Sequence, residues 1–359
     1  MTLILSESDI EQCLTMDGCL ESLELTFRDF GMGEVVNRPR THAYSYVGEK
    51  TFYNFKSMDG GIPRYGIHAI RLSSEVIRER EAFGHLREEK LALARGERYV
   101  GLVVLFDMKT TEPLAIIQDA GLQRLRVGAT SALAAKFLSR HNSHVVGLFG
   151  SGWQADPQLQ GLVRVRDIRQ IKVYSPNSEN RESFTNQMRD SLNAEIISVK
   201  TSKDVVKNSD IVVCATNALE PVFDGDWLER GQHINSLQAG ELDRITHDRA
   251  DLIVVRARGV SRTYIQENSP ELPGNLKKLK KYNKGYENKI VELGKVIANQ
   301  ERGRIDDNEI TLFGGGGTGP SSGLGIQFAA VGWVAYQEAK KKGLGQKIPT
   351  EWLLEKHHP

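Results

Sequence analysis

The stretch "HVVGLFGSGWQADP" (144–157) constrains this chain more than any other. An apolar, strand-length run leads into a glycine-spaced turn, and a helix-compatible run follows. Gly150, Gly152 and Ala155 satisfy the spacing G-x-G-x-x-G/A. In such a turn the first glycine allows the tight reversal and the second lets a pyrophosphate approach bare backbone. The third small residue lets the helix pack closely on the sheet. The rhythm downstream supplies the context this motif needs. The segments "HVVGLFG", "QIKVYS", "EIISV", "DIVVCAT", "HINSL" and "DLIVV" alternate with helical or turn segments. That alternation predicts an α/β fold with a Rossmann-type doubly wound parallel sheet. The candidate nucleotide-binding residues are therefore Gly150, Ser151, Gly152, Trp153, Gln154 and Ala155, with Ala215, Thr216 and Asn217 at the end of "DIVVCAT".

The end of the next strand distinguishes the two nicotinamide nucleotides. An acidic residue there would bind the adenine ribose 2′-hydroxyl of NAD and repel a 2′-phosphate. The segment "KVYSPNSENRESF" instead offers Ser175, Asn177 and Ser178, with Arg181 just beyond and no carboxylate before Glu179. Hydroxyls, an amide and a guanidinium suit a phosphate, so NADP(H) is favoured over NAD(H), with NAD(H) possible. The same Ser-Pro-Asn also serves as a helix cap.

With 359 residues the chain has room for two domains. Lys+Arg 47 against Asp+Glu 46 leaves a formal charge of +1, which gives no reason to expect nucleic acid or an anionic membrane as partner. A small molecule is the expected partner. Cys13, Cys19 and Cys214 are too few and too scattered for a disulfide framework or a zinc site, so no metal is expected. The start "MTLILSESDIEQCL" lacks the basic-then-apolar profile of a signal peptide, and no run of 18 apolar residues occurs. A cytoplasmic location is the expectation.

Ahead of residue 143 the pattern differs. Ser6 with Asp9 reads as a capping box opening a helix through Ile10, Leu14, Leu20, Leu23 and Phe27, closed by Gly31 and Gly33. Short alternating pieces over 41–75 predict an antiparallel sheet, followed by a charged solvated helix or loop over 76–98. "YVGLVVLFD" and "PLAIIQD" read as buried strands and "LQRLRVGATSALAAKFLSR" as a helix. Late in the chain, "KKLKK" reads as a solvated helix face, "KIVELGKVIANQ" as helical, and "FGGGGTGPSSGLGIQ" (313–327) as a glycine-rich loop feeding an apolar helix.

Five segments in one order carry a resemblance: "RVGATSALAAKFLSR" (126–140), "GLFGSGWQADPQL" (147–159), "SDIVVCATNALEPVFDGDWLERGQHINS" (209–236), "ELGKVIANQ" (292–300) and "ITLFGGGG" (310–317). Through them the chain resembles the ornithine cyclodeaminase and mu-crystallin family over nearly its whole length. The resemblance implies a homodimer of two-domain subunits. An α+β substrate and dimerisation domain would be built from 1–130 plus 310–359, and the Rossmann domain would span 131–309. It also implies that Arg126 and Arg40, with Arg38 as the nearby alternative, hold a substrate carboxylate through bidentate guanidinium contacts. Gly314 falls where the family returns its C-terminal segment beside the nicotinamide.

Two departures from the family bear on the reaction. Where the family has Gly-x-Lys, this chain has His68, followed by Arg71. The imidazole is a candidate proton donor, and Lys56 could replace the missing lysine in space. Beyond Asn235 the run "HINSLQAGELDRI" is too short to hold the family's catalytic aspartate; Glu241 or Asp243 could reach into its space, but both read more simply as the start of the next helix. Gln327 stands near another family aspartate. A cyclodeaminase needs a base for its amine and water steps. A reductase needs hydride geometry, an anchored carboxylate and one proton donor. The expected activity is an NAD(P)H-dependent imine reductase or amino-acid dehydrogenase acting on a C–N bond. An ornithine or lysine cyclodeaminase with catalytic NAD and a non-catalytic ligand binder like mu-crystallin are the alternatives.

Overall fold

The computed structural model describes residues 1–82, 85–238, 240–258, 261–273, 285–314 and 323–356. The strands in chain order are β1 (Thr2–Leu5), β2 (Val36–Asn37), β3 (Thr41–Gly48), β4 (Thr51–Ile62), β5 (Ile67–Ala82), β6 (His85–Leu91), β7 (Val100–Asp107) and β8 (Pro113–Gln118). They continue with β9 (Val145–Phe149), β10 (Gln170–Tyr174), β11 (Glu195–Ser198), β12 (Ile211–Cys214), β13 (His233–Ser236), β14 (Leu252–Val255), β15 (Arg262–Ile265), β16 (Ile290–Glu292), β17 (Thr311–Gly314) and β18 (Gln346–Ile348). The helices are α1 (Glu7–Cys13), α2 (Met16–Met32), α3 (Ala120–Leu138), α4 (Ala155–Val165), α5 (Ser178–Ser191), α6 (Ser202–Val206), α7 (Arg244–Arg249), α8 (Leu293–Ile297) and α9 (Gly325–Lys342).

Among the described residues these strands form two sheets. The first is mixed, in the order β15-β3-β4-β5-β7-β8-β1-β18, with β2 added to β4 and β6 to β5. The second is wholly parallel, in the order β11-β10-β9-β12-β13-β17-β14-β16. Its first five strands have the 3-2-1-4-5 order of a dinucleotide fold, with the switch point between β9 and β12. All six strands expected in this half are present. A further strand, β17, arises from "ITLFG" and sits between β13 and β14, so the segment opening the glycine-rich run is buried sheet rather than loop. Two strands cross the expected domain spans: β15, inside the 131–309 span, joins the first sheet beside β3, and β17, just past residue 309, joins the second.

The capping box of Ser6 and Asp9 forms as read, but the helix that it opens ends at Cys13. Thr15 accepts a hydrogen bond from the Gly18 amide and starts α2, which closes on Gly33 in the left-handed region (φ +78°). The charged stretch 76–98 corrects a second expectation, because it forms the long β5–β6 hairpin instead of a helix or loop. Strand pairing places Arg78 directly opposite Glu89, and Arg78 and Arg80 both reach its carboxylate, at 3.1 and 3.0 Å. Cross-strand ion pairs thus satisfy charges that were read as solvated helix surface. "KIVELGKVIANQ" likewise divides into β16 and the short α8. The "KKLKK" run lies outside the described residues.

One apolar cluster ties the first sheet to α2, α3 and α9, with Leu23, Phe27, Leu105, Leu133, Phe328 and Val331 fully buried. Small residues set the approach of the elements. A Cβ on Gly60 would meet the backbone nitrogen of Ile326 at 2.4 Å, and one on Gly128 would meet the carbonyl oxygen of Pro157 at 2.2 Å. The first contact seats α9 on β4, and the second seats α4 on α3.

Candidate active site

A cavity of about 670 Å³ opens at the carboxyl ends of β9, β10 and β12. Gly150, Ser151, Gly152, Trp153 and Gln154 line one side, Ser175 and Asn177 a second, and Ala215, Thr216 and Asn217 a third. The geometry gives each glycine of the motif its own task. Gly150 has φ +106°, and a Cβ there would strike the Ala215 carbonyl oxygen at 2.4 Å. A Cβ on Gly152 would meet nothing within 4 Å, so its bare backbone faces open space where an anion can approach. Ala155 is fully buried in the first turn of α4. Gln154 caps that helix without a side-chain hydrogen bond, leaving the helix end to receive a ligand's oxygens. The cradle fits a dinucleotide. Gly314, at φ +104° on the end of β17, is buried next to this cleft in register with Ser236 and does not line the cavity.

At the expected ribose end, Ser151 and Ser175 hydroxyls lie 3.0 Å apart and Asn177 caps α5 through the Asn180 amide. Arg181 behaves differently from its expected role. It donates to the Ser175 carbonyl at 2.6 Å and to the Ser198 hydroxyl at 2.8 Å, its guanidinium lies over the Tyr174 ring, and it does not line the cavity. Its Nε and Nη1 donors join β10 to β11.

The second half of the site is a set of buried arginines. Arg126, on α3, is 2% exposed, and its guanidinium carbon lies 4.8 Å from the centroid of the Phe328 ring. Arg71, on β5, approaches the same ring at 5.2 Å. It is held by Asp119 at 2.6 Å and by Gln123 at 2.8 Å. Arg40 is partly exposed, but its Nε is buried and has no hydrogen-bond partner. Burial, followed by repulsion from Arg71, lowers Arg40 to about 10. Burial, then Arg71, Arg256 and Arg40, lowers Arg126 far below the usual guanidinium range. An arginine cluster this desolvated is a receptor for anions. Two residues before Arg126, Arg124 donates to the Trp153 carbonyl and pairs with Asp156. The amino-terminal part of α3 therefore touches the glycine loop and the arginine cluster together.

The structure does not bring His68 to this cluster. In β5, Arg71 and His68 are three positions apart and so point to opposite faces of the sheet. His68 Nε2 lies 3.1 Å from Asp59, which also pairs with Arg38, so the alternative arginine faces away as well. Lys56 is on the cleft face. It pairs with Glu75, which Lys90 also contacts at 2.8 Å, and it neighbours His42 across the strand pair. Burial, with Lys90 and Arg40 adding repulsion, brings the Lys56 ammonium down to about 7. Burial alone would raise Glu75, but Lys56 and Lys90 outweigh it and hold this carboxylate ionised, at about 2.

Glu241 is another residue whose expected role the structure corrects. It is fully buried and accepts from the Thr216 amide and hydroxyl, both at 2.7 Å, and from the Gln238 amide at 2.8 Å. It fastens the ends of β12 and β13 together beneath the nucleotide cavity. Burial raises it to about 7 against the pull of those bonds. The helix start belongs to Asp243 alone, which caps α7 through the Thr246 amide. Gln327 serves structure too: its amide donates to Thr130 at 2.6 Å, and its carbonyl accepts from the Leu324 amide.

Sequence reading missed Arg256, Asp119, Phe328 and the bracket formed by Glu241. Arg256 carried a usable signal, since it directly follows the apolar strand "DLIVV" and strand ends are where open parallel sheets place ligands. The others carried none. Among the described residues no cluster of His, Cys, Asp and Glu could hold a metal ion, and no helix is long and apolar enough to cross a membrane.

Comparison with known proteins agrees with this architecture. The chain is 30% identical over 254 residues to a Δ(1)-pyrroline-2-carboxylate reductase of Bacillus cereus, covering 69% of this chain and 74% of that protein. Its fold matches the Thermococcus litoralis Δ(1)-pyrroline-2-carboxylate reductase solved with NADH and L-proline, with TM-score 0.78, 29% identity, and coverage of 97% and 100% of the two chains. It also matches an archaeal alanine dehydrogenase dimer solved with NAD, with TM-score 0.76, 27% identity, and coverage of 97% and 99%. The sequence profile of the ornithine cyclodeaminase/mu-crystallin family matches residues 1–343, and the chain belongs to that family.

Proposed function

We propose that this protein is an NAD(P)H-dependent oxidoreductase that reduces the C=N bond of an α-imino acid or oxidises the corresponding amine. The observation that carries this reading is the double role of α3, whose Arg124 bonds the glycine loop while Arg126 stands among buried guanidiniums. A substrate carboxylate seated there is held at a fixed offset from the cradle formed by Gly150 and Gly152. When bound, a dihydronicotinamide supplies the hydride.

The chain's own residues do the rest. Arg126 and Arg40 take the α-carboxylate, and Arg71, fixed by Asp119, sets their field. We assign the proton donor to Lys56 in place of His68, since the ammonium lies on the cleft face and titrates near neutrality. Glu75 orients it. A cyclodeaminase reading has less support, because Asp243 is tied up as a helix cap and Glu241 as a bracket. Either nucleotide fits the end of β10, where Ser175 and Asn177 offer hydroxyl and amide with no carboxylate, and we retain the preference for NADPH. The outward face of the first sheet exposes Phe55, Val100 and Leu102, and we infer that a second copy covers it in a homodimer.

The deciding test is oxidation of NADPH and NADH followed at about 340 nm with cyclic imines and with keto acids plus ammonia or methylamine. Stoichiometric loss of the reduced nucleotide is the expected result. Ammonia release from ornithine or lysine, with no net absorbance change, would overturn it.

A further inference from the structure

The arginine cluster holds more positive charge than one carboxylate can balance. Arg256 follows the last residue of β14 at the strand-end level of the cleft, and it is 7% exposed. Its Nε and Nη1 are buried, and neither has a hydrogen-bond partner. The chain then crosses to the first sheet, where the Arg262 amide donates to the Arg40 carbonyl at 2.9 Å. Ala257, the next residue, packs in the same apolar cluster as Phe328, the ring under Arg71 and Arg126. The residues that follow Arg256 are therefore tied to the segment of Arg40 and to the cluster of Phe328, and Arg256 is close enough to Arg126 to repel it.

Two neighbouring acids are engaged, and a third, Glu88, acts on Arg40 and not on Arg256. Asp119 is bound to Arg71, and Glu75 to Lys56 and Lys90. A buried guanidinium without a partner is costly, and the cost is recovered when an anion binds. An α-carboxylate shared by Arg40 and Arg126 leaves Arg256 unmatched.

We propose that the substrate is a dicarboxylate: an imino or amino acid whose side chain carries a second carboxylate, received by Arg256. This rests on the oxidoreductase reading for the reaction but stands separately for binding. A hydrophobic wall would have served a short apolar side chain, whereas a desolvated fork of donors discriminates for a planar anion.

The test uses the full chain with NAD⁺ added and compares succinate and glutarate with butyrate and valerate by calorimetry. The dicarboxylates should bind at least about 10-fold more tightly, and Arg256→Met should bring the ratio close to one. Equal affinities in the wild type, or a preference that survives in Arg256→Met, would overturn the proposal. The wild-type comparison needs no variant, so a misfolded Arg256→Met leaves it decisive, and Arg256→Gln repeats the second arm. Turnover of monocarboxylate imines without dicarboxylate preference would defeat this inference alone. Dicarboxylate preference without turnover of any imine would uphold the binding site and defeat the oxidoreductase reading.

Discussion

Arg71 and Arg126 converge on one aromatic ring, their guanidinium carbons 5.2 and 4.8 Å from the centroid of Phe328. They come from different elements, β5 and α3, and Arg71 pairs with Asp119. The ring lets two like charges lie side by side, because each cation meets the negative face of the π system while Asp119 neutralises one of them. A buried guanidinium cluster of this kind suits an anion.

Arg126→Met should therefore raise KM for the imino acid by roughly 100-fold or more while leaving nucleotide affinity near wild type. Arg126→Lys keeps the charge without the fork and should recover only part of that loss. Steady-state kinetics with nucleotide titration checks both, and an unchanged KM would remove Arg126 from the site.

Gly152→Val separates cradle from fold. With nothing within 4 Å of the added Cβ, thermal stability should stay within about 2 °C of wild type while NAD(P)H affinity falls by at least about tenfold. Gly150→Val would behave otherwise, since its φ of +106° and the Ala215 carbonyl make the folded chain itself pay. Scanning calorimetry beside fluorescence titration distinguishes the two.

Lys56, lowered to about 7 by burial, gives a pH signature. As a proton donor it is competent below that value, so kcat for reduction should decline as pH rises through about 7. Lys56→Met should lower kcat by roughly 100-fold and abolish the limb. His68→Gln, on the other face of the sheet, should keep kcat/KM within about twofold. A pH profile carried by His68 instead would reverse the assignment.

Glu241, raised to about 7 by burial, makes stability depend on pH in the opposite sense to an ordinary ion-paired acid. The native state holds its proton where the unfolded chain has released it. The contribution is full below the unfolded value near 4.5 and is lost as pH rises through about 7. The melting temperature of the wild type should accordingly fall relative to Glu241→Gln between about pH 5 and pH 8. Parallel melting curves across that range would show that Glu241 is ionised throughout.

Much of the nucleotide half was legible because its signals are local. Gly150 and Gly152 report a backbone requirement within one turn, and each apolar strand run reports its own burial, so the alternation after residue 143 yields the parallel sheet directly. The stretch 76–98 misled for the converse reason. Its charges are satisfied across a hairpin, by pairs such as Arg78 with Glu89 that are eleven residues apart, and no window of helical period contains that partnership.

Arg71 and His68 stand three positions apart in an alternating strand, so they fall on opposite faces of β5. Only the tertiary structure decided which face looks into the cleft, by packing α9 against β4 at Gly60 and Gly325 and placing Phe328 under Arg71. The same holds for Arg181 and Arg256, two arginines of like chemistry near strand ends. One spends its donors on Ser175 and Ser198, and the other is left buried without a partner. A side chain's function depends on which donors remain after folding, and that is settled by contacts between residues far apart in the chain.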